Sequence, residues 1–194
     1  MEIIDNSTTD NHEDSQGETS RPKWGVVLVW VFVLGLLTVL GLGLVRSQRG
    51  SIRVGDRVPD LILTTFEGDE INFADLRGQI VVINFWASWC KPCEQEAVEL
   101  EQAYQMYKDQ SVIFLGVDYV DTETEALAYL AKFGITYPNG PDLGTRISQA
   151  FRTLGVPETY IMGPNGRLVA VKIGPYMALE EIVNQIETVQ AEQK

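Results

Sequence analysis

The sequence predicts an α/β domain, a central mixed sheet flanked by helices, behind a single N-terminal transmembrane helix. Three observations carry that expectation. An uncharged run, WGVVLVWVFVLGLLTVLGLGLV (24–45), matches the ~20 residues that cross a bilayer at about 1.5 Å per residue. Two apolar runs rich in β-branched residues, 79–87 and 111–119, have the continuous pattern of strands covered on both faces, and helical periodicity follows each. Two later strand runs flank Pro164-Asn165-Gly166, where Asn-Gly suits a tight turn, so a hairpin joins a parallel start.

From the N-terminus, residues 1–23 read as an acidic tail. Its first twenty residues carry Glu2, Asp5, Asp10, Glu13, Asp14 and Glu18 and no Lys or Arg. With so few large apolar side chains the segment cannot offset its ordering entropy, and it is expected to be disordered. The net charge of −12 and a pI near 4.5 argue against nucleic-acid binding, which needs a basic face.

At residues 24–45 an uncleaved anchor is expected. A cleavable signal peptide fits less well, given the acidic lead-in, the length of the run and the lack of a small-x-small site before Arg46. A soluble core helix fits worse, because the run is apolar all round. Arg21 and Lys23 on one flank, against Arg46, Arg49 and Arg53 on the other, lean slightly toward a cytoplasmic C-terminal domain. Gly35, Gly41 and Gly43 lack the four-residue spacing of a helix-packing motif.

Residues 46–57 read as a linker and 58–194 as the folded domain. LILTTFEGDEINF suggests two short strands around a turn at Glu67-Gly68-Asp69. After the strand at 79–87, residues 90–108 place Ala97, Leu100, Ala103 or Tyr104, and Tyr107 at helical spacing. After the strand at 111–119, Thr122 and Glu125 fit a capping box for a helix over 122–133. Residues 137–142 read as turn, 145–151 as a short helix, and 177 onward as an amphipathic closing helix.

The only two cysteines, Cys90 and Cys93, stand at the junction of a buried strand and a helix. Three readings compete. A structural zinc site needs about four ligands, and the chain adds only His12, far away in the tail. A purely structural disulfide would close a tiny loop and constrain the unfolded chain little. Redox chemistry suits the spacing best, because one thiol can attack a partner while the other resolves the mixed disulfide. Cys90 at the helix start would have its thiolate favoured by unpaired N–H groups, the helix dipole and Lys91, and Pro92 is tolerated there. Cys93, one turn in, is expected to be more buried and less acidic. Cys90 is thus the expected nucleophile and Cys93 the resolving thiol.

The segment FWASWCKPC after an apolar strand resembles the active-site segment of the thioredoxin-like fold. GVPETYIMGPNGR (155–167) resembles the part of that fold that places a cis proline opposite the thiols, and EGDEINFADLRGQIVVINFWASW resembles the branch related to alkyl hydroperoxide reductases. With the anchor, the chain resembles the membrane-anchored thiol-disulfide oxidoreductases of the TlpA, ResA and CcmG (DsbE) group, which act in cytochrome c maturation. The resemblance runs from about Val58 to the C-terminus.

It implies that Pro157 is the cis proline and that Val156 offers backbone groups to an extended substrate strand. It implies that Trp89 borders the exposed sulfur, and that Glu96 and Glu158 are acids near the thiols, either able to exchange a proton with Cys93. The alternative for Glu96 is an exposed helix residue, and for Glu158 a turn-capping acid. Trp86 is as readily a packing aromatic. Asn84 stands where cytosolic thioredoxins place a buried Asp and cannot take up a proton, which gives the two glutamates more weight.

The resemblance further implies an extracytoplasmic domain on the cytoplasmic membrane. It implies an integral membrane electron donor of the CcdA/DsbD type and a disulfide-bearing client such as apocytochrome c. No cofactor is expected. Two alternatives stand beside this: an extracytoplasmic disulfide oxidase or isomerase, and a non-catalytic, tethered peptide-binding module. A peroxidase is disfavoured, because no Thr-x-x-Cys context is present.

Overall fold

The structure, a computed structural model, describes residues 24–47 and 52–192. The tail predicted to be disordered, and residues 48–51 of the predicted linker, lie outside them. The chain divides into two units at about residue 49. The first holds helix α1 (Trp24–Ser47), of which Trp24–Leu42 is long and apolar enough to cross a membrane.

The second unit contains β1 (Ile62–Thr64), β2 (Glu70–Asn72), β3 (Ile80–Trp86), α2 (Lys91–Tyr107), β4 (Val112–Tyr119), α3 (Glu123–Phe133), β5 (Asn139–Asp142), α4 (Arg146–Phe151), β6 (Glu158–Met162), β7 (Leu168–Ile173) and α5 (Leu179–Ala191). Strands β1 and β2 form an antiparallel pair, and the main sheet has the order β5-β4-β3-β6-β7. β3 runs parallel to β4 and β4 to β5, whereas β6 is antiparallel to both β3 and β7. The fold is thioredoxin-like, with a mixed sheet between helices.

Every residue of β3 is buried, as its unbroken apolar run predicts. The two-residue period of a strand then sorts its side chains. Val81, Ile83 and Phe85 enter a core with Leu115, Phe151 and Tyr160, whereas Ile80 and Val82 enter the other with Leu100, Ile182 and Ile186 from α2 and α5. Asn84, in phase with Ile80 and Val82, therefore points to the α2 side. On α2 the buried positions are Cys93, Glu96, Ala97, Leu100, Ala103 and Tyr107, one helical stripe with a carboxylate inside it.

Two elements differ from the sequence expectation. Asn139–Asp142, read as turn, is an edge strand paired with Gly116–Tyr119. Asn, Gly, Pro and Asp all have poor strand propensity, so side-chain bonds hold the segment instead. Asn139 Oδ1 accepts from Trp86 Nε1 at 2.8 Å, and Asp142 accepts from Ile147 N at 3.1 Å and Ser148 N at 2.8 Å, capping α4. Gly116 is required beneath this arrangement, since a Cβ there would come within 1.6 Å of Asn139 Oδ1.

The predicted linker is also shorter than its residues suggested. Ile52 is buried and donates its N–H to Phe151 O at 3.2 Å. Gly55 N–H reaches Leu168 O at 2.7 Å, and Arg57 bridges to Arg167. Residues 52–57 thus belong to the folded unit.

Candidate functional site: a dithiol centre

The end of β3 turns directly into α2, and that turn carries the cysteines. Cys90 is the N-cap of α2, in extended backbone conformation, and its Sγ accepts from Cys93 N–H at 3.2 Å. Pro92 lies in the first turn, where its missing N–H costs nothing. Cys90 and Cys93 are joined in a disulfide with a Cα–Cα distance of 5.3 Å. Cys93 is fully buried and Cys90 is 3% exposed, so the outer sulfur is only narrowly accessible. Lys91 is exposed and pairs with Glu94 at 3.0 Å.

Glu96, one turn beyond Cys93, is 1% exposed rather than on the helix surface. Its Oε1 accepts from Asn84 Nδ2 at 2.7 Å and its Oε2 from the Tyr176 backbone N–H at 2.9 Å. Burial pushes its carboxyl up to about 7, against the opposing pull of those two hydrogen bonds. Asn84 Nδ2 also donates to Thr159 Oγ1 at 3.0 Å on the paired strand β6. The amide can serve either state of Glu96: its Nδ2 faces the carboxylate, and rotation would turn Oδ1 to accept from the protonated acid. An Asp at this position would add a second buried charge.

Opposite the disulfide, Val156–Pro157 is a cis peptide. Glu158 follows it, 1% exposed. Its Oε1 accepts from Leu154 N at 2.9 Å and Gly155 N at 3.1 Å, and its Oε2 accepts from Tyr160 Oη at 2.5 Å. The acid therefore holds the loop that presents Val156 and Pro157. Those residues, with Pro92, Leu154, Ile173 and Pro175, line an apolar groove beside the thiols.

Trp89 is 57% exposed on the rim and donates Nε1 to Val120 O at 3.2 Å. Trp86, by contrast, is buried and stacks on Tyr129 with centroids 4.5 Å apart. Among the described residues no group of three or more His, Cys, Asp or Glu is placed to hold a metal ion.

The sequence named Cys90, Cys93, Glu96, Glu158, Trp89, Val156 and Pro157, and the fold gathers them at one end of the sheet. It did not show that Asn84, Thr159 and Tyr176 close a network on Glu96. The polar Asn84 inside an apolar strand was the available signal for half of it, while a backbone N–H leaves none.

A CxxC pair capping a helix after the central strand, faced by a cis proline, defines a thioredoxin-like thiol-disulfide oxidoreductase. Residues 54–171 match the AhpC/TSA family, and the chain belongs to it. The thiol-disulfide oxidoreductase ResA of Geobacillus thermodenitrificans is 30% identical over 167 residues, covering 84% of this chain and 95% of that protein. ResA of Bacillus subtilis is 27% identical over 152 residues, covering 78% and 83%. Among solved structures, a thiol:disulfide interchange protein from Chlorobium tepidum assigned as DsbE superposes with a TM-score of 0.66 at 26% identity, covering 72% of this chain and 99% of that one. The chain is thus a ResA/DsbE-type thiol-disulfide oxidoreductase.

Proposed function

We propose that this enzyme is a membrane-tethered, extracytoplasmic reductase of protein disulfides that acts in c-type cytochrome maturation. The observation that carries dithiol exchange is the buried Glu96 one turn below Cys93, which accepts from Asn84 Nδ2 and the Tyr176 N–H and can take a proton in either direction, while the resemblance to the cytochrome-maturation group supports the reductase direction. Cys90 thiolate attacks a client disulfide, forming a mixed disulfide and releasing one client thiolate, which takes up a proton. Cys93 then loses its proton toward Glu96 and attacks Cys90 Sγ, expelling the second client thiolate and closing the Cys90–Cys93 bond. The client gains two electrons and two protons, and the enzyme ends oxidised.

Val156 and Pro157 receive the client strand, Trp89 borders the entering sulfur, and Glu158 supports the loop. α1 would hold the domain at the membrane face, where an integral donor of the CcdA/DsbD type would return electrons and apocytochrome c would be the client. The resemblance to the cytochrome-maturation group and the similarity to ResA support this reading, and the flanking arginines do not. Deleting the gene should abolish assembly of c-type cytochromes, with rescue by the intact chain but not by a Cys90→Ser variant. Normal cytochrome assembly in the deletion strain would refute the client.

A second reading, disulfide oxidase, draws on the Cys93 N–H aimed at Cys90 Sγ. That contact stabilises a thiolate, hence the reduced form, and raises the potential. The potential itself separates the two.

A further inference from the structure

The run VIFLGVDY places an acid, Asp118, inside a strand with apolar neighbours. It pairs in register with Trp86 of β3 on one side and Pro141 of β5 on the other. Asp118 is 1% exposed, and neither of its carboxyl oxygens has a hydrogen-bond partner among the described residues. A bare carboxylate in that position would be costly, and buried polar groups without partners call for an explanation.

The explanation lies three residues on. Asp121 is within hydrogen-bonding reach of Asp118. Its own oxygens already accept, Oδ2 from Ser88 N–H at 2.6 Å and Oδ1 from Thr122 N–H at 2.8 Å. Two carboxyls can meet only through a shared proton. Asp121 already accepts two backbone N–H groups, which leaves Asp118 to donate the shared proton. Burial first, and then the Asp121 charge, push the Asp118 carboxyl up to about 8.

The other groups around Asp118 offer no competing charge. Trp86 spends its indole N–H on Asn139, Pro141 has no donor, and Glu123 and Glu125 at the start of α3 are exposed. No Lys or Arg is hydrogen-bonded to Asp118 among the described residues.

The turn that follows Asp118 is stitched to the cysteine loop twice. Asp121 holds the Ser88 N–H, and Val120 O accepts from Trp89 Nε1 at 3.2 Å. Val120 has φ 49°, a left-handed conformation that a β-branched residue adopts only when its surroundings impose it. Ser88 and Trp89 lead directly into Cys90.

We propose that Asp118 is a positioning residue for dithiol exchange: as a neutral acid it donates to Asp121, which holds the Ser88–Cys90 turn, and its ionisation to solvent releases that turn. The proposal rests on the dithiol chemistry of Cys90 and Cys93 and is independent of the client. It adds Asp118, on β4, to Glu96, on α2, as a buried acid whose proton bears on the dithiol.

The test uses the full-length chain in detergent, reduced, with an oxidised model peptide as the disulfide. Exchange rates of wild type and Asp118→Asn are compared from pH 6.5 to 9.5. The carboxamide donates to Asp121 at every pH, so the thiol's own titration cancels in the ratio of the two rates. That ratio, variant over wild type, should rise by about thirtyfold across the range, since above its midpoint an ionisation lowers the protonated population by about a decade per pH unit. A flat ratio would overturn the proposal.

Should the variant not fold, hydrogen exchange in wild type decides. Ser88 amide protection, corrected for intrinsic rate, should fall above pH 8, and constant protection would overturn the proposal. A Cys90–Cys93 pair that cannot be reversibly reduced would overturn the dithiol reading and this inference together. Normal exchange with a flat ratio would overturn this inference alone.

Discussion

Glu96 and Glu158 are equally buried, and each lies beside one half of the site, yet their surroundings give them different work. Glu158 accepts from two backbone N–H groups and a tyrosine hydroxyl, all within four residues of it along the chain. Glu96 accepts from one rotatable amide and one backbone N–H drawn from distant parts of the chain. A carboxylate saturated by local donors is a fixed strut. One with few donors and a partner that can turn is able to change its proton. On the proposed mechanism, the count and mobility of the donors, and not burial alone, separate the loop-holding acid from the one that exchanges a proton with Cys93.

The largest expected effect concerns the thiols that both acids serve. Cys90→Ser should lower disulfide exchange on the order of 10³-fold or more, as loss of a nucleophile does. Cys93→Ser should instead trap a mixed disulfide with the client, visible on a non-reducing gel. If Cys93→Ser turned over normally, the order of the two thiols would be wrong.

The next effect tests the strut. Glu158→Ala leaves Leu154 N, Gly155 N and Tyr160 Oη without their acceptor, and at about 1–3 kcal/mol for each unsatisfied group the domain should lose 3 kcal/mol or more. Urea unfolding would read this directly. A loss of exchange with unchanged stability would break the comparison, because Glu158 would then be acting in the chemistry.

Glu96 tests the other side. Its folded-state value of about 7 lies above the ordinary 4.5, so the native chain holds more protons between those values. Stability from this group is complete below pH 4.5 and is lost as pH rises through about 7, a contribution of roughly 3 kcal/mol. Glu96→Gln should remove that part of the slope and lower exchange at pH 8 by about a hundredfold, the range of a general base. A pH profile of exchange identical to wild type would remove Glu96 from the mechanism.

The smallest effect lies at the rim. Trp89→Ala deletes an exposed ring whose only described hydrogen bond is to Val120 O, and should slow exchange with a protein disulfide several-fold while sparing small disulfides. Equal slowing of both would point to disruption of the loop.

The difference between the two acids was only half legible in the sequence. The unbroken apolar runs announced β3 and β4, and Thr122 with Glu125 announced the start of α3, because burial and capping leave marks in residue type. β5 left none, since Asn139 is held by the indole of Trp86, 53 residues back, and Asp142 by the first turn of α4. The cysteine spacing exposed the dithiol, whereas its facing loop was legible only through the resemblance over residues 155–167. Glu96 and Glu158 could be singled out by resemblance, but their roles depend on donors that are mostly backbone groups. Asp118 was written in plain view as an acid inside a buried strand, but its meaning required Asp121 to be placed against Ser88.

The central claim is that this dithiol donates electrons. It is tested by the reduction potential of the Cys90–Cys93 pair, measured on the full-length chain in detergent against a dithiothreitol couple at pH 7. A reductase should lie near or below about −270 mV, the region of thioredoxin. A value well above about −200 mV, toward the oxidising enzymes, would contradict the account and reverse the direction of electron flow through the same fold.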